Sequence, residues 1–131
     1  MTAEDHGDTH YGLSLLIKGD RQEDGKNLFY LIAHLSRYET GIEKCSTVSP
    51  GQIVGYVGNT GNCYTGDAPH PVKEEERAAG KGAHLHLSVY KADETQGSNL
   101  WDKTNNNFKT RKCGVVNPFN HYDPRKGEKL L

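Results

Sequence analysis

Residues 83–90 read Ala83-His84-Leu85-His86-Leu87-Ser88-Val89-Tyr90, with polar and apolar side chains in alternation. This alternation predicts a β-strand that buries one face. Because successive side chains of a strand point to opposite faces, we expect His84 and His86 to share a face, about 7 Å apart, and Leu85 and Leu87 to enter the core. Two such imidazoles can bind one metal ion, or one can bind it while the other acts beside it. The simpler interpretation is a half-exposed strand with two polar positions.

Short apolar runs elsewhere in the chain extend the β pattern. Residues 13–17 and 28–35 predict two strands of a hairpin, joined by a long charged connection at 20–27. Further strands are expected at 53–57, where Gly55 indicates a bulge or a close backbone approach, and near 115–118. Residues 73–79 predict one or two helical turns ended by Gly80. Short strands separated by glycine turns favour a single all-β domain over 1–131, an antiparallel sandwich or barrel.

Composition excludes several classes of protein. The chain has 16 Lys and Arg, 17 Asp and Glu and a net charge of −1, with the signs interspersed, so no nucleic-acid partner is expected. No apolar run is long enough for a membrane span. The start, Met1-Thr2-Ala3-Glu4-Asp5, does not resemble a signal peptide. We therefore expect either action in the compartment of synthesis or a piece of a longer exported protein; the localisation stays open.

The three cysteines are Cys45, Cys63 and Cys113, and none forms a Cys-x-x-Cys pair. A structural zinc knuckle is therefore not expected. Isolated thiols are the favoured interpretation, with a Cys63–Cys113 disulfide left open.

Four motifs occur in a characteristic order. They are Tyr11-Gly12 before a strand, Ala33-His34-Leu35 at a strand end, a glycine-rich run, and Gly82-Ala83-His84-Leu85-His86-Leu87. The glycine-rich run reads Gly51-Gln52-Ile53-Val54-Gly55-Tyr56-Val57-Gly58-Asn59-Thr60-Gly61. Over about residues 11–90 this series resembles the lysostaphin-type zinc peptidoglycan endopeptidases.

The resemblance implies a compact antiparallel β fold of the duplicated hybrid motif type, with zinc held by two histidines and one aspartate. It also implies hydrolysis of peptide bonds in peptidoglycan cross-links or other short peptides. Carried over by position, His86 matches the zinc ligand, and His84 and His34 match the two catalytic histidines. A neutral imidazole can take a proton from the attacking water, and a protonated one can stabilise the oxyanion that follows.

The sequence departs from the family where the other two ligands are expected. Those ligands form a His-x-x-x-Asp motif upstream of the position of Tyr11, and this sequence contains no such motif. We therefore expect an N-terminally truncated domain with an incomplete metal site, in which zinc is weak or absent. The polar start carries His6, Asp8 and His10 at suggestive spacing, but a mobile terminus is the favoured interpretation there.

A second departure is an insertion at 62–83, which we expect to border the histidines as a lid or, more simply, as a mobile surface excursion. It contains His70 in an extended loop; residues 91–131 form a C-terminal extension, in which His121 is expected to be structural. Family members usually act at the cell envelope or in phage particles.

Three functions follow from these expectations. The first is a zinc metalloendopeptidase that needs a missing N-terminal segment. The second is an inactive relative that binds cell wall or a protein partner. The third is a structural module of a phage or secretion assembly.

Overall fold

The computed structural model describes residues 2–5, 11–43, 45–65, 70–93, 101–102, 107–108 and 113–116. It contains eight strands and one short helix within these ranges. The strands are β1 (Thr2–Asp5), β2 (Leu13–Glu23), β3 (Lys26–Tyr38), β4 (Gly55–Val57), β5 (His86–Ala92), β6 (Trp101–Asp102), β7 (Asn107–Phe108) and β8 (Cys113–Val116). The helix α1 covers Glu74–Ala78.

Six strands form one antiparallel sheet, in the order β1-β2-β3-β5-β8, and β4 also pairs with β3. The strands β6 and β7 form a separate two-stranded ribbon. The described residues contain almost no helix besides α1, which confirms the all-β prediction. Among the described residues, no helix has the length and apolar character that crossing a membrane requires.

The central strand β3 is buried on both faces. Phe29, Leu31 and Ala33 pack on one side with Leu16, Tyr90 and Ala92. The other side holds a second buried group: Leu15, Ile17, Leu28, Tyr30, Ile32, Leu35 and Val89. Because every apolar residue from Leu28 to Leu35 finds a core, this run is continuous rather than alternating. The buried strand is a rigid support for whatever lies at its end.

The hairpin of β2 and β3 is longer than the sequence predicts, and its connection is shorter. The strands continue through the polar residues and turn only at Asp24-Gly25, where both residues have positive φ. Cross-strand contacts extend the ladder into the solvent, including the side-chain hydrogen bond of 3.1 Å from Gln22 to Asn27. The expected long connection at 20–27 is therefore wrong.

Three other boundaries also differ from expectation. The strand predicted at 53–57 is limited to Gly55–Val57, and an added Cβ at Gly55 would lie 3.0 Å from the carbonyl oxygen of Arg37, which confirms the close approach. At the start of the chain, where no strand is expected from the sequence, Thr2–Asp5 pairs with β2 as a strand. In the C-terminal extension, Cys113–Val116 pairs with β5, slightly before the predicted strand.

The strand predicted at 83–90 begins only at His86. His84 lies before it, in an isolated bridge with Gly58, and donates its backbone N–H to the Gly58 carbonyl at 3.1 Å. Leu85 is 56% exposed, so its predicted burial is wrong, whereas Leu87 packs against the core. The reason is that the chain leaves the ladder of β3 at His86 in order to meet Gly58.

Candidate metal centre

The imidazoles of His34, His84 and His86 meet at one end of the sheet. One ligand atom from each lies within 4.8 Å of the other two. The ring centroid of His34 lies 4.9 Å from that of His84 and 5.2 Å from that of His86. The centroids of His84 and His86 are 6.4 Å apart. The predicted convergence of these three residues is therefore confirmed. The cluster spans a range of environments, since His34 is buried, His86 is half-buried and His84 is exposed.

His34 reaches this position through a bulge in β3. Leu35 pairs with Leu13 and Ile32 pairs with Leu15, so Ala33 and His34 together oppose the single residue Ser14. A bulge of this kind turns a side chain away from the direction that a regular strand would give it. His34 has φ +59, a left-handed conformation that costs about 1–3 kcal/mol for a residue other than glycine. Such strain is found mainly where a functional geometry requires it.

The bulge also marks the point where β3 changes partner. Ala33 pairs with His86 on β5, and Leu35 pairs with Val57 on β4. The bulge thus brings His34 beside the first residue of β5. The backbone N–H of His34 donates to the carbonyl of Tyr11 at 2.8 Å, so the bulged residue keeps a hydrogen-bond partner.

Thr60 holds the bulge from the side of the glycine-rich run. Its hydroxyl donates to the Leu35 carbonyl at 2.6 Å and accepts the backbone N–H of Leu13 at 3.0 Å. Its own carbonyl accepts from Nδ1 of His34 at 2.7 Å. One residue therefore ties together two strands and an imidazole. Gly12 permits this approach, because a Cβ there would overlap both the backbone and the hydroxyl of Thr60.

Two of the imidazoles have their orientation set by backbone carbonyls. Nδ1 of His34 faces the Thr60 carbonyl, and Nδ1 of His84 faces the Gly82 carbonyl at 2.8 Å. A carbonyl oxygen can only accept, so each Nδ1 carries the proton. In the neutral ring, Nε2 then has a free lone pair that can bind a metal or accept a proton. An imidazole in this tautomer can therefore serve either as a metal ligand or as a general base.

His86 is held differently. Its Nε2 lies 3.1 Å from the Ser88 hydroxyl, which can donate or accept, so either tautomer satisfies this bond. Donation from Nε2 leaves Nδ1 free as the ligand atom. The ring of Tyr11 packs edge-on against His86, with centroids 5.7 Å apart and an interplanar angle of 85°. The Tyr11 ring thus restricts the imidazole on one side.

Burial keeps two of the histidines neutral. Desolvation lowers the pKa of His34, the hydrogen bond to the Thr60 carbonyl partly opposes this shift, and the nearby His84 adds to it. Desolvation also lowers the pKa of His86, with further contributions from His34 and His84. Three imidazoles in one place cannot all be charged without mutual repulsion. Near neutral pH the cluster therefore offers unprotonated nitrogens, which zinc requires.

The 62–83 insertion lies beside the cluster through its second half. The Asn59 side chain donates to the carbonyls of Arg77 at 3.1 Å and of Lys81 at 2.7 Å, and the Arg77 guanidinium donates back to the Asn59 carbonyl. Next to Lys81, the Gly82 carbonyl accepts from Nδ1 of His84. These bonds confirm that the insertion borders the histidines. Its predicted mobility remains untested.

The insertion also contains the predicted helical turn and a buried cysteine. The helix α1 falls within the predicted turn, and Gly80 follows it with φ +80. Cys63 is buried and Cys45 is exposed, and both thiols are free. Burial raises the pKa of the Cys63 thiol. The disulfide that the sequence left open for Cys63 is thus not formed.

Of the other histidine candidates, His70 lies in the described part of the chain, and it does not join the cluster. His70 lies 3.6 Å from a carboxylate oxygen of Glu76, within the insertion. The polar start, with His6, Asp8 and His10, lies outside the described residues, as does His121. The metal-ligand group found in the described part of the chain contains no carboxylate.

Sequence reasoning missed the supporting residues. Thr60, Tyr11 and Ser88 each contact a cluster histidine. Thr60 and Tyr11 stand in motifs of the resemblance and Ser88 in the alternating strand, but the sequence assigned none of the three a role at the site. The Asn-Thr-Gly context of Thr60 reads as a turn, and a turn gives no sign of which strands its hydroxyl will bridge. Comparisons with protein-family models, curated proteins and solved structures found no match to this chain.

Proposed function

We propose that this chain is a zinc-dependent peptidase domain of the lysostaphin type that acts on peptidoglycan cross-link peptides, and that its metal site needs further ligands to be complete. The convergence of His34, His84 and His86 within 4.8 Å carries the proposal. These residues belong to two separate parts of the sequence, His34 to one and His84 and His86 to the other, and each part holds one motif of the resemblance. The antiparallel sheet with almost no helix supports the same fold type.

The three histidines have distinct roles in this proposal. His86 is the zinc ligand, because it is half-buried, neutral and restrained by Tyr11. His34 and His84 are the catalytic histidines, because carbonyls accept from Nδ1 of each and leave the lone pair of Nε2 free. When bound, zinc supplies a Lewis acid that polarises a peptide carbonyl and lowers the pKa of water to about 7. A neutral imidazole then accepts the water's proton, and a protonated one stabilises the oxyanion or the leaving amine.

The ligand set explains why completion is needed. A catalytic zinc site has about three protein ligands, and the proposed roles leave His86 as the only one within this cluster. A histidine and an aspartate in His-x-x-x-Asp spacing would complete it. Their carboxylate would also bring the negative charge that three neutral imidazoles lack.

The exposed apolar residues beside the cluster fit a peptide-binding edge. Val57 and Leu85 flank the bridge between Gly58 and His84, and each is 56% exposed. Apolar side chains next to convergent polar groups are typical of a ligand-binding edge. This observation also favours the second candidate, a metal-free relative that binds a peptide or protein partner without cleaving it.

The test compares the 131-residue chain with a version that carries a His-x-x-x-Asp strand ahead of it. Both are loaded with zinc, and release of peptides from peptidoglycan is followed by mass spectrometry. We expect cleavage only from the completed version. His84→Ala in that version should abolish turnover and leave most of the zinc bound. A completed version that binds zinc stoichiometrically and cleaves nothing would refute the peptidase and leave the binding function.

A further inference from the structure

We infer that the 131-residue chain by itself has a second metal-binding mode, in which His34, His84 and His86 all bind one divalent first-row ion. In this mode the two histidines proposed for proton transfer are themselves ligands, so the ion is held in an inactive form. The inference rests on the proposed function for the meaning of that inactivity. The metal site itself depends only on the geometry of the three imidazoles.

The distances allow this closure with small movements. Zinc binds imidazole nitrogen at about 2.0–2.1 Å, so two ligands of a tetrahedral site lie about 3.4 Å apart. The three ligand atoms are already within 4.8 Å of one another. The remaining approach, at most about 1.4 Å, is within the reach of side-chain rotation. No backbone rearrangement is required.

The residue with the greatest freedom is also the one that must move. His34 is held by the bulge and by Thr60, and His86 by Tyr11 and Ser88. His84 is exposed, and its Nδ1 donates to the carbonyl of Gly82, only two residues away. His84 can therefore rotate towards two fixed partners. Rotation carries it from the position of a base to the position of a ligand.

The donor set decides which ions fit. Three imidazoles with no carboxylate favour zinc, copper, nickel or cobalt over magnesium or calcium, which prefer oxygen ligands. Three nitrogen ligands leave a fourth tetrahedral position for water. Because closure must reorder His84, we expect micromolar rather than nanomolar affinity for zinc.

This second mode would act as a control on the proposed enzyme. While His34 and His84 bind the ion, neither has a free Nε2 to accept a proton. A histidine and an aspartate that enter as stronger ligands would release both imidazoles at once. The same ion would then change from a stored form to a catalytic form through ligand exchange.

The experiment is a titration of the full chain with Co²⁺, and then with Zn²⁺ in competition, near neutral pH. Four single variants are compared: His34→Asn, His84→Ala, His86→Ala and the control His70→Ala. Asparagine is chosen at position 34 because it tolerates the left-handed backbone found there. Circular dichroism verifies that each variant folds, and His34→Ala gives a second test of that position.

We expect each of the three cluster variants to weaken binding by at least about tenfold, because loss of a ligand should exceed the 10–100-fold effect of losing a supporting group. His70→Ala should bind as the wild type does. The cobalt spectrum should lack a thiolate charge-transfer band, which would exclude a cysteine such as Cys45 as a ligand. Cys45→Ser should accordingly leave the affinity for cobalt unchanged.

Two results would overturn the inference. One is the absence of cobalt and zinc binding to the wild-type chain at millimolar ion. The other is a pattern in which only His86→Ala weakens binding, which is the single-ligand arrangement of the proposed function. Because the titration does not involve cleavage, failure here leaves the peptidase proposal intact. The peptidase would fail separately, through an inactive completed version.

Discussion

The two ends of β3 both interrupt the ladder with β2, but they do so in opposite ways. Near the turn, the irregularity lies on β2 between Lys18 and Gln22, where the intervening side chains are largely exposed. Near the site, it lies on β3 at Ala33 and His34, which are buried. An exposed bulge can satisfy its backbone groups with water, whereas a buried one needs partners from the protein.

Those partners differ accordingly. The turn end is joined to β5 by the exposed ion pair of Lys91 with Asp24, 2.6 Å long. The site end is held by Thr60 and by the Tyr38 hydroxyl, which accepts the Ser14 N–H at 3.2 Å and donates to the Ser14 carbonyl at 3.1 Å. This sheet therefore has a buried irregularity, held by hydrogen bonds within the protein, at the end where the three imidazoles meet.

The largest difference should come from two left-handed glycines, one at each end. Gly12 has φ +59 and no room for a Cβ beside Thr60, whereas Gly25 has φ +72 and open space around it. Gly12→Ala should lower the free energy of unfolding by about 2–5 kcal/mol, from strain plus overpacking. Gly25→Ala should cost about 1–2 kcal/mol, from the backbone alone. Urea unfolding measures both, and equal losses would contradict the comparison.

The next effect concerns the Thr60 hydroxyl. Thr60→Val leaves the Leu13 N–H and the Leu35 carbonyl without this partner, at a cost of about 1–3 kcal/mol. We also expect weaker cobalt binding, because the Thr60 carbonyl that orients His34 shifts with the loop. Thr60→Ser keeps the hydroxyl and serves as the control. If valine and serine behave alike in unfolding and in metal titration, the hydroxyl does not hold the bulge.

The pH dependence of stability is a smaller effect with a defined sign. The pKa values of His34 and His86 are lowered from 6.5 by burial, so below that value the unfolded chain binds protons that the folded chain resists. Stability should therefore fall as the pH drops from about 7.5 to about 5.5. His34→Asn should reduce this slope in metal-free protein, as measured by urea unfolding at each pH. If the slope is unchanged in His34→Asn, then titratable groups other than His34 cause the pH dependence of stability.

The smallest effect is expected at the turn end. The hydrogen bond to Lys91 lowers the pKa of Asp24, so its stabilisation is present above the ordinary value of 3.8 and is lost as the pH falls through the lowered one. Because the pair is exposed, Asp24→Asn should change stability only slightly at neutral pH, and salt should reduce the difference. Asparagine preserves the positive φ of Asp24. A loss comparable to that of Thr60→Val would contradict the comparison.

The sequence anticipated the site better than the strands that build it. The alternation around His86 and the order of the motifs predict that His34, His84 and His86 converge, and in the structure they do. The reason given for His84 was wrong, because His84 lies in a bridge to Gly58 and not in the strand with His86. A period of two predicts the same shared face in either case, so the correct convergence did not depend on the correct strand boundary.

What the sequence by itself determined is the set of buried runs, the glycine turns and the type of chemistry that histidines in these positions can offer. The tertiary structure alone decided how those histidines can act. The bulge at His34 arises because Leu35 pairs with Leu13 while Ile32 pairs with Leu15. The tautomer of His34 is set by the carbonyl of Thr60, which is 26 residues away. A carbonyl belongs to every residue, so no side-chain pattern reveals which one will face an imidazole. That selection is made only when the strands are packed, because hydrogen bonds between distant backbone groups depend on position and not on residue type.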